Sequence, residues 1–405
     1  MLYSFSRFLL YCSFLLLPLT FIRVYNNLSV SDLLIFISFI TLAISQKGKA
    51  FLFETTLTKN EFLLPLLIFS LGFFLSLNNS EYPLDSFTAY LQIVFIFLFA
   101  YPVLSEVVKD EKQIKIIAIL LLIPGVVVSI LMLLIKFIGL NMGVDLLAYE
   151  GWAGRFSYGG MEPNIPGRII LQNIPLLTIL SLKSKSLWGK VISILLIVFQ
   201  MVAIILTSSR SNMLTFVFGI SLFLIFFYKS GRRIRVRYIL YTGIIMFASI
   251  AIFYNSNPEF FEKPLERYGT ILNANKSASS MERIEVIDKG LDYLNINPVI
   301  GLGMGNSYLY TKVSLHNPIL LTWLENGIFG IIGFTGFYLL LLFQGYKNYK
   351  FNFKGNLWLI ALTIIMITMV FGDMFMANSY KRVLWLPALL GYVYSKKVLF
   401  PKVVS

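Results

Sequence analysis

Apolar stretches broken by short polar connections run the whole length of the chain. Twelve can be read, roughly at residues 8–22, 28–45, 62–77, 87–104, 114–135, 166–182, 188–208, 211–228, 237–254, 326–345, 356–375 and 380–398. Several are shorter than the ~20 residues a helix needs to cross a bilayer, so their true ends extend into flanking polar positions. The first continues as FIRVYNN with no small-residue cleavage pattern, and it reads as a membrane helix rather than a signal peptide. The pattern predicts an all-α, polytopic membrane bundle of about 12 transmembrane helices, one domain over 1–405. Two long polar segments interrupt it, at about 141–165 and 255–325, and no internal repeat stands out.

Composition agrees with that pattern. Of 405 residues, 57% are hydrophobic and only 13% charged, against ~25% charged in soluble domains. So few charges cannot cover a water-soluble fold of this size, which excludes a cytosolic enzyme, a secreted domain and a disordered chain. The single cysteine, Cys12, makes no intramolecular disulfide, and one histidine, His316, makes no zinc cluster.

The formal net charge of +14 would suit nucleic acid if it formed one basic face. It does not. With the N-terminus placed in the cytoplasm, most of the 34 Lys and Arg residues fall in cytoplasmic connections, such as Lys109, Lys112 and Lys115 or Arg232, Arg233, Arg235 and Arg237. The short outer connection 78–86 carries none. This positive-inside bias predicts an even number of spans with both termini cytoplasmic. The charge orients the protein in its membrane, and nucleic acid is not expected as a partner.

Three polar clusters fall on the predicted outer side, where a membrane enzyme would show its chemistry. The first is YEGWAGRFSYGGMEPNIPGR, with Arg155 and Glu162-Pro163-Asn164 ahead of a span start at Pro166. It reads either as a ligand loop or as an interfacial loop with Trp152 and Tyr158 at headgroup depth. The second is LTSSRSNML, where Arg210 lies at the membrane edge among Ser208, Ser209, Ser211 and Asn212. Arg210 is either a snorkelling side chain or a guanidinium for phosphate at headgroup level, with small polar neighbours suited to anion hydrogen bonds.

The third cluster is the long outer loop with Arg267, Tyr268 and Arg283. Ile284, Ile287, Leu291 and Leu294 predict an amphipathic surface helix over 281–294. The following GLGMG lacks a preceding strand and a helix-opening third glycine, so it reads as a flexible turn and not a dinucleotide fingerprint. His316-Asn317 then begins an apolar stretch leading to Glu325-Asn326-Gly327. A lone histidine is usually structural. Near several arginines and partly desolvated, however, His316 is expected to be neutral and able to accept a proton.

The ordered combination of SSRSN at a span start, Arg283 in a loop helix, NPVIGLGMGN, and HNPILLTWLENGIFGIIGF resembles the O-antigen ligase and O-antigen polymerase family of bacterial inner-membrane glycosyltransferases. The resemblance covers about residues 150–345. It implies a GT-C-like fold of about a dozen helices, a long helical loop facing the periplasm or cell exterior, and undecaprenyl-diphosphate-linked glycans as substrates. Carried over by position, Arg210 and Arg283 would bind the donor diphosphate, with Arg155 and Arg267 assisting. His316 would act on the acceptor hydroxyl, with Asn317 and Glu325 around it. The interval 307–315 is short for the ligase pattern, leaving little room for an elaborate acceptor-binding insertion.

The chemistry such a site would perform needs no nucleotide and no metal. An acceptor hydroxyl attacks C1 while charge builds on the departing diphosphate, and guanidiniums stabilise that charge as it develops. No Asp-x-Asp occurs, Asp110-Glu111 is predicted cytoplasmic, and Glu81 and Asp85 sit among ordinary turn residues, so no metal or other cofactor is expected. A polymerase joining lipid-linked repeat units is the first reading, and a ligase moving the finished chain to lipid A core is its close alternative. The expected partners are membrane lipid, the lipid-linked donor and an acceptor glycan or lipid A core; a polymerase would also admit a chain-length regulator protein. A transporter or flippase for the same lipids would need ionisable residues at the midplane of several spans. Lys136 and Asp373 are the nearest, both close to span ends.

Overall fold

The computed structural model describes residues 2–17, 23–25, 28–45, 47–138, 149–151, 155–157, 164–231, 258–269, 278–312, 315–376 and 380–399, with 248, 251, 254 and 255 as short pieces. The architecture is helical. In chain order the described helices are α1 (Leu2–Leu16), α2 (Val30–Ala43), α3 (Gly48–Thr58), α4 (Leu63–Asn79), α5 (Pro83–Val107), α6 (Glu111–Ile138), α7 (Asn164–Lys183) and α8 (Leu187–Leu206). There follow α9 (Arg210–Lys229), α10 (Glu259–Gly269), α11 (Ala278–Ile296), α12 (Ser307–Thr311), α13 (Pro318–Lys350), α14 (Leu357–Asp373) and α15 (Arg382–Leu399). Two short antiparallel ladders, Arg23–Tyr25 with Leu28–Ser29 and Tyr149–Gly151 with Arg155–Ser157, are the only strands among the described residues.

Six of the described helices are long and apolar enough to cross a membrane: α5, α6, α7, α8, α9 and α13. Counting α3 and α4 together, a pair bent by 68°, as one broken span makes seven. α1, α2 and α14 are apolar but shorter. The expected span at 237–254 lies almost wholly outside the described residues. Among the described residues the structure thus gives a multi-pass helical bundle with six or seven full-length spans, which does not confirm the twelve read from hydropathy. Apolar runs of 14 to 17 residues register in hydropathy but fall short of a bilayer's ~30 Å as helices.

Local sequence explains where the helices begin. Ser29 and Asp32 form a reciprocal capping box at α2. Ser209 caps α9, Asn317 caps α13 ahead of Pro318 in the first turn, and Asn356 caps α14. Packing then depends on small residues where backbones cross. A Cβ on Gly72 would fall 2.4 Å from the Gly330 nitrogen, and one on Gly333 would fall 2.4 Å from the Phe69 nitrogen. α4 and α13 therefore lie closer together than any side chain at these positions would permit. Phe69, Phe97, Phe334, Phe337 and Trp385 fill the buried core beside this seam.

The two ends of the bundle differ in chemistry. At one end Lys183 pairs with Glu111, Lys396 pairs with Glu61, and Lys397 donates to the Ser105 and Val108 carbonyls. At the other end, where α7 and α9 begin and α14 finishes, arginines, serines and asparagines gather.

Candidate functional site

α7 and α9 start side by side because their first turns exchange polar side chains. Ser209 Oγ donates to Asn164 Oδ1 at 2.6 Å, and Asn212 Nδ2 donates to the Asn164 carbonyl at 3.0 Å. Gly167 makes room: a Cβ there would meet Asn212 Nδ2 at 1.9 Å. Ser208, at φ 50°, turns the chain sharply into α9. Ser208, Ser209, Ser211 and Asn212 are all buried. This corrects the expectation that these small polar groups would hydrogen-bond an anion: Ser209 and Asn212 are engaged in building the turn. Arg210 alone of the five is only half-buried.

α10 docks onto the end of α8 through Tyr268, whose hydroxyl donates to the Ile205 carbonyl at 3.1 Å. That brings Arg267 beside the turn that carries Arg210. α11 approaches from the other side with Arg283. The charges of Arg283 and Arg267 both bear on the Arg210 guanidinium. Three arginines from three separated stretches of sequence therefore converge at one end of the bundle. Like charges so placed repel each other unless an anion lies among them.

The buried face of α11 overlaps only in part with the one that periodicity suggested: Leu294 is buried and Ile287 packs beside it. Val286, Gly290 and Leu294 are buried against Leu315, Leu321 and Leu324, whereas Ile284 and Leu291 are exposed. The helix has turned to present its small and branched residues to the start of α13, and Arg283 lies one turn before Val286 on that same face. The opposite face carries Glu282, Glu285, Asp288 and Asp292. There Lys289, hydrogen-bonded at 2.7 Å, holds the Glu285 carboxyl below its ordinary range.

His316 is half-buried, between Leu315, which packs on α11, and Asn317. Asn317 Oδ1 accepts from the Ile319 and Leu320 amides at 3.0 Å each, so its carbonyl group serves the helix cap rather than a ligand. Glu325 is buried, not open to a substrate. Its carboxylate accepts from the Ser307 hydroxyl at 2.6 Å and from the Gly305 and Ser307 amides. Arg155 pairs through its backbone with Gly151 in the short ladder beside α7. Its side chain, and Glu162 and Pro163, lie outside the described residues.

GLGMG is an anchored clamp rather than a flexible turn. α13 is two helices, 318–326 and 328–350, broken at Gly327 with φ 65° and ψ −163°. The glycine segment lies across the break: the Leu302 and Gly303 amides donate to the Leu324 and Glu325 carbonyls at 2.9 Å, and Ile328 donates to Val299 at 3.2 Å. Its far side is tied to the α4–α5 connection, where Asn306 Nδ2 donates to Ser80 and Ser86 and Asn79 donates to the Gly301 carbonyl. Trp323 donates to the Pro298 carbonyl at 2.8 Å. His316 thus sits at the head of a half-helix held in place from several directions.

One residue escaped the sequence reading. Arg168, in the second turn of α7, is buried beneath this end of the bundle and donates to Thr215 on α9, to the Gly372 carbonyl on α14 and to Met376. Asp373, the residue after Gly372, is the acid whose charge bears on this guanidinium, and it accepts from the Tyr338 hydroxyl of α13. The available signal was a charge two positions past Pro166, inside an apolar stretch that should hold none. Among the described residues no three His, Cys, Asp or Glu side chains gather as metal ligands would.

No curated protein matches the chain. Residues 193–335, from within α8 to the second half of α13, match the family model described as O-antigen ligase. That segment contains Arg210, Arg267, Arg283, His316, Asn317 and Glu325, and leaves Arg155, Arg168 and Asp373 outside. The match covers about a third of the chain, 193–335, and agrees there with the resemblance that the ordered motifs carry; the chain as a whole is a multi-pass membrane protein.

Proposed function

We propose that the protein transfers oligosaccharide from an undecaprenyl-diphosphate carrier to a glycan hydroxyl on the outer face of a bacterial inner membrane, as a polymerase of surface-polysaccharide repeat units. The observation that carries this reading is the convergence of Arg210, Arg267 and Arg283 at one end of the bundle. A diphosphate at headgroup depth is the anion such a cluster suits, with its polyprenyl tail leaving sideways into lipid. The acceptor hydroxyl attacks C1, the C1–O bond breaks, and the electron pair goes to the diphosphate. The arginines stabilise that developing charge. His316, at the head of the clamped half-helix, takes the hydroxyl proton. Arg155 assists on the donor or glycan from the preceding loop. Asn317 and Glu325 act on the scaffold, by capping α13 and by fastening the glycine segment.

A ligase acting on lipid A core shares this donor site, and the description of the matching family model favours it. The interval 307–315 favours the polymerase: it is taken up by the one-turn helix α12, with Thr311 and Leu315 buried, leaving little chain for a large acceptor. A flippase has less support, because the buried acids and bases Asp32, Arg168, Glu325 and Asp373 lie in the first two turns of a helix, at a helix break or at a helix end rather than along a path through the bundle. Purified protein given defined lipid-linked repeat units, with and without lipid A core, separates the three. Longer lipid-linked glycan without core supports the polymerase, glycosylated core alone supports the ligase, and no glycosidic product with either acceptor sinks the transferase.

A further inference from the structure

We infer that Arg168 is a positioning residue that sets the attitude of the α9 N-terminus, and hence of Arg210, through a hydrogen-bond relay braced against Asp373. This inference rests on the reading of Arg210 as a donor-site cation.

A buried arginine in a membrane bundle is costly, and a buried charge pair is weak support for stability, since apolar residues of similar volume do as well. What Arg168 offers instead is a fixed fork with several directed donors. Its Nη1 donates to Thr215 Oγ1 at 2.7 Å. The Thr215 hydroxyl in turn donates to the Ser211 carbonyl at 2.8 Å, and Ser211 is the residue after Arg210. Nη2 donates to the Gly372 carbonyl, and Nε meets Met376 Sδ at 3.3 Å. The guanidinium therefore spans from the first turns of α9 to the end of α14.

Two glycines fix the arrangement. A Cβ on Gly372 would fall 1.4 Å from Arg168 Nη1, so the guanidinium occupies the space that a side chain there would need. Gly167 lets Asn212 close the same gap one residue earlier in α7. On the other side, Asp373 accepts from Tyr338, whose ring stacks on Trp385 at 5.6 Å. Movement of α13 or α14 would be carried through this brace to the turn that holds Arg210.

The test uses the full-length protein in lipid nanodiscs. Thr215→Val keeps the side-chain volume and cuts the relay; Arg168→Met/Asp373→Leu removes both charges together. Each should lower kcat/KM for the lipid-linked donor by ~10-fold or more, as small misplacements of a reacting group do. In an Arg210→Ala background the same changes should cost less than about two-fold more, because the relay then has nothing to aim. Losses that multiply with Arg210→Ala would reduce Arg168 to a stabilising residue. A second readout needs no reaction. With Cys12→Ser in place, Arg210→Cys should react with a water-soluble thiol reagent at a rate that changes several-fold when Thr215→Val is added; an unchanged rate overturns the inference. If Arg210→Ala transfers sugar normally, the donor-site reading falls while the labelling rates still decide the positioning.

Discussion

Arg210 takes the first position of α9 because Ser209 caps the helix and Ser208 accepts a left-handed backbone to reach it. Ser209 and Asn212 of SSRSN have structural tasks, and Arg210 is the one residue of the motif that is only half-buried. Arg210→Ala and Arg283→Ala should each cut transfer by ~10²–10³-fold with membrane insertion unchanged, the size expected for losing one charge-stabilising donor. Wild-type product levels in both, assayed in isolated membranes, would refute the diphosphate role. His316→Ala should also cripple transfer, and full activity would leave it a structural residue. Since side chains carry out this chemistry, product formation should persist in strong chelator; loss restored by added Mg²⁺ or Mn²⁺ would disprove that. The arginines and the histidine were legible in sequence because charges at span ends are conspicuous. The duties of Asn317, Glu325 and the serines were not, because a cap, a buried clasp and an anion site draw on the same polar residue types.

α13 shows how an element can be half legible. Hydropathy marks a span starting near 326, and the structure starts its second half there. The preceding half-helix carries the same apolar character but leaves the span direction at Gly327. That residue's φ and ψ fall in a region only glycine occupies readily, and a Cβ would lie 1.9 Å from the Val299 carbonyl oxygen. Gly327→Ala should therefore destabilise the protein by about 1–3 kcal/mol or more, read as a lower thermal midpoint in detergent, and should lower transfer by displacing His316. An unchanged midpoint with full activity would mean that the break is not required. The periodicity of α11 marked the helix but only part of its buried face, Ile287 and Leu294. Its buried side is chosen by what lies opposite, Leu315 and Leu324, and a single helix's sequence does not contain that information.

At the scale of the molecule, the difference between the two ends matches the charge bias along the chain. Lysines collect where α7 ends and α8 begins, and the arginine cluster lies where α7 and α9 begin. With Cys12→Ser as background, Asp288→Cys should label from outside intact cells with a membrane-impermeant thiol reagent, and Lys185→Cys only after permeabilisation. The reverse pattern would invert the orientation and put the arginines on the cytoplasmic side. The count of twelve spans is not confirmed among the described residues, where short apolar helices and a bent pair look like full spans in hydropathy. The convergence of Arg210, Arg267 and Arg283 was expected from the family resemblance alone, since physically it depends on Tyr268 docking at α8 and on α11 packing against α13.

The joint between Gly167, Arg168, Asn212, Thr215 and Gly372 has a practical corollary for protein engineering. Changing the specificity of the proposed transferase invites the exchange of outer segments between relatives, cut in polar connections. Here the stretches 164–168, 209–215 and 372–376 form one interlocking unit drawn from three distant parts of the gene, and a graft that imports one without the other two would join surfaces that never fitted each other.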